Sequence, residues 1–139
     1  MLLSKKAYQR IDHEISKFPT NKKRSAVIAS LAIAQEEVGW ISIEVIRDVA
    51  RYLELLPIEV QEVATFYNMF NKRPVGKYKI SICTGLPCSL QKGNRVATYL
   101  KKKLHIEYGE TTIDGLFTVV ENECMGACGD APVLILNNK

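Results

Sequence analysis

Four cysteines are the residues of this chain best equipped for chemistry. Cys83 and Cys88 are separated by four residues, Cys124 and Cys128 by three, and 35 residues lie between the pairs. Two close pairs on separate loops can deliver four thiolates to one place. A [2Fe–2S] core takes two cysteine sulfurs on each iron, completing a tetrahedron beside the bridging sulfides. A structural zinc site also takes four thiolates, and its usual pair spacing covers both gaps here. Two disulfides are the third possibility. A Cys-x2-Cys redox motif is absent.

The residues around the thiols suit a metal loop. A ligated [2Fe–2S] core carries roughly −2 by formal counting, and about −3 when reduced, so its loops must offer donors. Gly85, Gly126 and Gly129 let backbone N–H groups approach sulfur, and Pro87 and Pro132 stiffen the two loops. Glu121, Glu123 and Asp130 flank the thiols, where negative charge disfavours reduction.

The elements that must position these loops follow from periodicity. Tyr8, Ile11, Ile15 and Phe18 recur at helical spacing until Pro19. Val27, Leu31, Ala34 and Val38 mark a second helix with Gly39 beyond its end, and Ser42 caps a third whose stripe is Ile46, Val49, Ala50 and Leu53. Pro57 opens a fourth, with Val60, Val63, Ala64 and Tyr67 on one side. These four form a small bundle. Asn71 to Gly76 is the natural linker. Beyond it Tyr78, Ile80 and Ile82 alternate with polar residues, predicting a strand that ends at Cys83. A helix from Leu90 to Leu104 is expected, with Val96, Leu100 and Leu104 facing inward, then a polar loop from His105 to Gly115. Short strands Leu116–Val120 and Val133–Leu136 flank the second pair. The reading is α+β: a helical bundle over residues 1–75, then a small α/β domain over 76–139 carrying every cysteine.

Composition narrows the classes. With 47% hydrophobic and 24% charged residues among 139, the chain is neither disordered nor fibrous. Each half carries a net +2 and no charged tail stands out, so nucleic acid is not an expected partner. The longest apolar stretch, Val27 to Ala34, is eight residues, far short of the ~20 that cross a bilayer. The start has no long apolar region of a secretory signal. A reducing, cytoplasmic compartment is therefore expected, where cysteines serve metals or redox chemistry more than disulfides. Neither a Walker nor a dinucleotide glycine fingerprint occurs.

Longer stretches carry a resemblance. Cys83-Thr-Gly-Leu-Pro-Cys88, Glu123-Cys124-Met-Gly-Ala-Cys128 and Ala131-Pro132 resemble the 24-kDa-type [2Fe–2S] subunit of NADH:quinone oxidoreductase, respiratory complex I. Arg24 to Val27, Ala34 to Trp40, Val63 to Tyr67 and Asp114 to Phe117 look like the same family, so the likeness runs from about Lys17 to Leu136. The resemblance implies a helical bundle followed by a thioredoxin-like [2Fe–2S] domain. It implies that Cys83 and Cys88 hold one iron and Cys124 and Cys128 the other. It further implies a partner flavoprotein binding NADH and FMN, and a peripheral place at a membrane within a complex. The same module serves soluble NAD-linked hydrogenases and formate dehydrogenases. Family members commonly continue past the position of Asn138 with a further strand and helix, so the last strand here is expected to be an edge.

Other residues invite plainer readings. His13 and His105 are the only histidines and are expected at the surface, and Lys101 to Lys103 in a solvated last helical turn. Phe66, Tyr67, Met69 and Phe70 are expected mostly to pack in the core, Tyr67 foremost. Trp40 is read as packing at a helix end.

Overall fold

The structure is a computed structural model and describes residues 1–137; Asn138 and Lys139, the last positions of the expected second domain, lie outside the described residues. Its contacts form two compact units, Met1–Pro74 and Val75–Lys139.

The first unit holds helices α1 (Lys5–Ile15), α2 (Val27–Val38), α3 (Ile43–Leu53) and α4 (Pro57–Phe66), with a 3-10 turn at Lys23–Ala26. Their ends are set by local chemistry. The Ser4 hydroxyl accepts from the Ala7 N–H, and the Ser42 hydroxyl from the Val45 N–H. Gly39 ends α2 at φ 86° and donates to the Gln35 carbonyl. Pro57 opens α4, and the Glu59 carboxylate accepts from the Leu56 N–H at 2.9 Å. Ile11, Val27, Leu31, Ile46, Val49, Leu53 and Val60 fill the core, each worth about 1.5–3 kcal/mol of burial. Val38, expected on the inner face of α2, instead lies exposed. Of the aromatic group after α4, Phe70 is buried and Tyr67 half-buried, whereas Phe66 and Met69 point outward.

The second unit is a three-stranded sheet of order β2-β1-β3, made of β1 (Tyr78–Cys83), β2 (Phe117–Asn122) and β3 (Leu134–Leu136). β1 runs parallel to β2 and antiparallel to β3. Ile80, Ile82 and Val119 pack under α6 (Gly93–Leu104) through Ala97, Leu100 and Leu104. Ser81, expected on a polar face, is 5% exposed, because β1 is the middle strand. β3 lies at the sheet edge with Leu134 and Leu136 partly bare.

The helix expected from Leu90 to Leu104 is α6, which starts three residues later at Gly93, and an unexpected short helix stands before it. A short α5 (Leu86–Leu90) precedes α6, and Lys92 at φ 66° turns the chain between them. Ala97 takes the innermost place and Val96 is only half-buried. The segment from His105 to Gly115, expected as a polar loop, sends Ile106 into the core and packs Tyr108 against it while Ile113 stays exposed, and Thr111 bridges to Thr118. The strands around the second pair begin one residue later than expected, and β2 runs two residues further, to Asn122.

Candidate metal centre

Topology explains how residues far apart in sequence meet. Parallel β1 and β2 bring their carboxyl ends to the same edge, with Cys83 opposite Asn122. Past that edge the Thr84 N–H donates to the Asn122 carbonyl at 3.0 Å. The antiparallel β3 starts there too, and the Cys83 N–H donates to the Val133 carbonyl at 3.3 Å. Three segments thus converge where β1 ends.

Each thiol takes its place from a local device. Cys83 is the last residue of β1 and is buried. Cys88 is buried on α5, a turn that Gly85 and Pro87 start. Cys124 follows β2 by two residues, and Cys128 opens the 3-10 turn Cys128–Asp130; both are exposed. Between them Gly126 sits at φ 75°, a left-handed bend, which turns its N–H onto the Cys124 sulfur at 3.4 Å. The Cys124 and Cys128 sulfurs are 3.4 Å apart, and all four cysteines are free thiols.

The two pairs are neighbours. A β-carbon built on Gly85 would lie 3.5 Å from the Cys83 sulfur and 3.9 Å from the Cys124 β-carbon, so the two loops face each other there. Their protonation is linked as well. The Gly126 N–H, then Cys128, hold the Cys124 thiol below its ordinary value. Cys128 is pushed up, first by its bond to Cys124 and by the charge of Cys124, with burial, Cys88 and Cys83 adding. At Cys88 a backbone bond from Val133 pulls down, but burial together with Cys83 and Cys124 outweighs it and the net direction is up. Sulfurs that raise one another's affinity for protons are a group poised to share a cation instead.

The donor set fits a binuclear iron–sulfur group. Two thiolates on one tetrahedral metal at about 2.3 Å stand roughly 3.8 Å apart; the 3.4 Å between Cys124 and Cys128 is close to that. Among the described residues no group of three or more His, Cys, Asp or Glu side chains is set to hold a single metal ion.

His13 and His105 are exposed, and neither lies in this group. Lys101 pairs with Glu107 at 2.6 Å and lies over the Tyr108 ring, while Lys102 and Lys103 are exposed in the last turn of α6. Sequence reasoning missed α5 and the Val133 contact to Cys88. Pro87 directly after a Gly-Leu step was the available signal for the first, and none existed for the second.

Residues 11–139 match the family model described as thioredoxin-like [2Fe–2S] ferredoxin. The chain is 47% identical over 125 residues to a subunit of the NADH-quinone oxidoreductase of Rickettsia typhi, spanning 89% of this chain and 74% of that protein. It is 45% identical to the corresponding protein of Rickettsia prowazekii, spanning 89% and 71%. In fold it is similar to an NAD+-reducing [NiFe]-hydrogenase in the air-oxidized state, with TM-score 0.70 and 20% identity, over 86% of this chain and 21% of that one. The H2-reduced state gives TM-score 0.68 and 22% identity, over 80% and 18%.

Proposed function

The chain belongs to the thioredoxin-like [2Fe–2S] ferredoxin family, and from that premise we propose that it is an iron–sulfur electron-transfer subunit of an NADH:quinone oxidoreductase. The observation that carries this is the meeting of two thiol pairs, one buried and one exposed, at the carboxyl ends of β1 and β2. Residues 76–139 form the cluster module and residues 1–75 a separate helical module.

In this reading Cys83 and Cys88 hold one iron, and Cys124 and Cys128 the other. A bound [2Fe–2S] cluster supplies reversible one-electron chemistry. The protein's part is electrostatic and steric. The Gly126 N–H points at sulfur and favours its negative charge. Glu121, Glu123 and Asp130 are exposed around the group and oppose further negative charge, which lowers the potential. Buried Cys83 and Cys88 keep water from one side of the site.

The electrons come from the FMN of a partner flavoprotein that oxidises NADH. Leu86 and Leu90, one turn apart on α5 beside Cys88, are 72% and 73% exposed and support a protein contact there. No described helix is long and apolar enough to cross a membrane, and the proposed place is cytoplasmic and peripheral, within a membrane-held complex, a reading that the likeness to NADH-quinone oxidoreductase subunits supports. Anaerobic affinity purification from the native host tests the reading. The expected result is two irons and two labile sulfides per chain, a flavoprotein, and quinone-reductase subunits co-purifying. Stoichiometric zinc and a colourless protein would refute the cluster. Co-purification of a nickel–iron or molybdenum subunit would instead assign the chain to a soluble NAD-linked hydrogenase or formate dehydrogenase.

A further inference from the structure

The four thiols are not equivalent towards an oxidant. Cys83 and Cys88 are 3% and 1% exposed, while Cys124 and Cys128 lie open to solvent. The exposed sulfurs are already in contact at 3.4 Å, and Gly126 has bent the three-residue loop between them. A disulfide bond of about 2.05 Å needs only a further approach of about 1.4 Å, within reach of side-chain rotation in an exposed loop.

We propose that Cys124 and Cys128 are a redox modification site: in the cluster-free protein hydrogen peroxide joins them in a disulfide and leaves Cys83 and Cys88 reduced. The chemistry balances without another reactant. One sulfur of the pair attacks peroxide, the O–O bond breaks, a sulfenic acid forms and one water leaves. The neighbouring sulfur attacks that sulfenic sulfur, the S–S bond forms, the S–O bond breaks and a second water leaves with the thiol proton. Two thiols have given two electrons to one peroxide. A dithiol reverses the bond by exchange, because both sulfurs are accessible.

The consequence for cluster assembly rests on the ligand reading above. A bridged pair has no thiolate for the second iron, so peroxide would hold the apoprotein out of use until a reductant returns it. Burial spares the inner pair, which keeps half of the site ready.

The test uses the full chain, stripped of metal by anaerobic chelation and reduced with a dithiol. After peroxide, intact mass should fall by two hydrogens, and peptide mapping should find Cys124 joined to Cys128 with Cys83 and Cys88 still free. A bridge through Cys83 or Cys88, sulfinic acid without a bridge, or unchanged mass would overturn the proposal. In Cys128→Ser, a sulfenic acid at Cys124 should persist and react with a dimedone probe; circular dichroism reports whether that variant folds, and the native mapping decides if it does not. Iron and sulfide uptake should drop about tenfold in oxidised apoprotein and recover with the dithiol. Bridging at the expected pair, with no uptake even in reduced apoprotein, would refute the ligand reading and leave the disulfide standing.

Discussion

Gly93 presses the start of α6 against Cys88: a β-carbon there would stand 2.8 Å from the Cys88 carbonyl oxygen and 3.2 Å from its carbonyl carbon. The added carbon would meet backbone, so no rotamer relieves it. Gly93→Ala must lift α5, which carries Cys88, or tilt α6. The expected cost is about 1–3 kcal/mol of stability, with a lower cluster content in whatever folds. Chemical denaturation and iron analysis on one preparation measure both.

The second cysteine loop offers a paired control. Gly126 and Gly129 both have open space around them, but only Gly126 adopts a positive φ. Gly126→Ala should cost about 1–2 kcal/mol and disturb the N–H aimed at Cys124. Gly129→Ala should stay within about 0.5 kcal/mol of the parent. Equal effects on melting and iron content would show that backbone conformation is not what Gly126 supplies.

Removing a thiol separates ligand from bystander. Cys124→Ser should abolish or greatly weaken iron and sulfide binding, and His105→Ala should leave both intact. Cys124 lies in the exposed loop, so loss of its sulfur removes few packing contacts. Equal metal content in the two variants would refute the ligand set.

Alkaline stability should report on the helical unit. The Tyr52 hydroxyl donates to the Asp12 carboxylate at 2.7 Å and its ring lies 4.6 Å from that of Tyr8. Burial first, then Asp12, pushes the Tyr52 phenol from 10.0 up to about 12. Between those values the unfolded chain loses a proton that the folded chain keeps, so stability is full below pH 10 and falls as pH rises towards 12. Tyr52→Phe should flatten that decline. Unfolding curves across this range in the parent and the variant provide the measurement.

Ser30 gives the opposite kind of prediction. It is fully buried in α2, and its hydroxyl has no hydrogen-bond partner among the described residues. An unsatisfied buried hydroxyl costs about 1–3 kcal/mol, so Ser30→Ala should be neutral or stabilise by about 1 kcal/mol. A clear loss in thermal or denaturant stability would mean the hydroxyl has a partner.

The chemistry of this protein was legible in sequence to an unusual degree, for local reasons. Caps such as Ser42, Gly39 and Pro57 act within one turn, so they placed α2, α3 and α4 within about a residue. Thiol spacing announced a metal or redox group, and the flanking residues carried the family likeness. Periodicity, however, says which residues share a face and not what covers it. Tertiary packing decided that Ser81 is enclosed on a middle strand, that Phe70 is inside while Phe66 is outside, and that Val38 is bare. It also added a short helix ahead of the expected one: a left-handed turn at Lys92 separates α5, which carries Cys88 inward, from α6 on the sheet. Above all, sequence treats four cysteines alike. Only the parallel run of β1 beside β2, with β3 starting at their shared end, buries one thiol pair and leaves the other in water, because burial depends on segments distant in the chain.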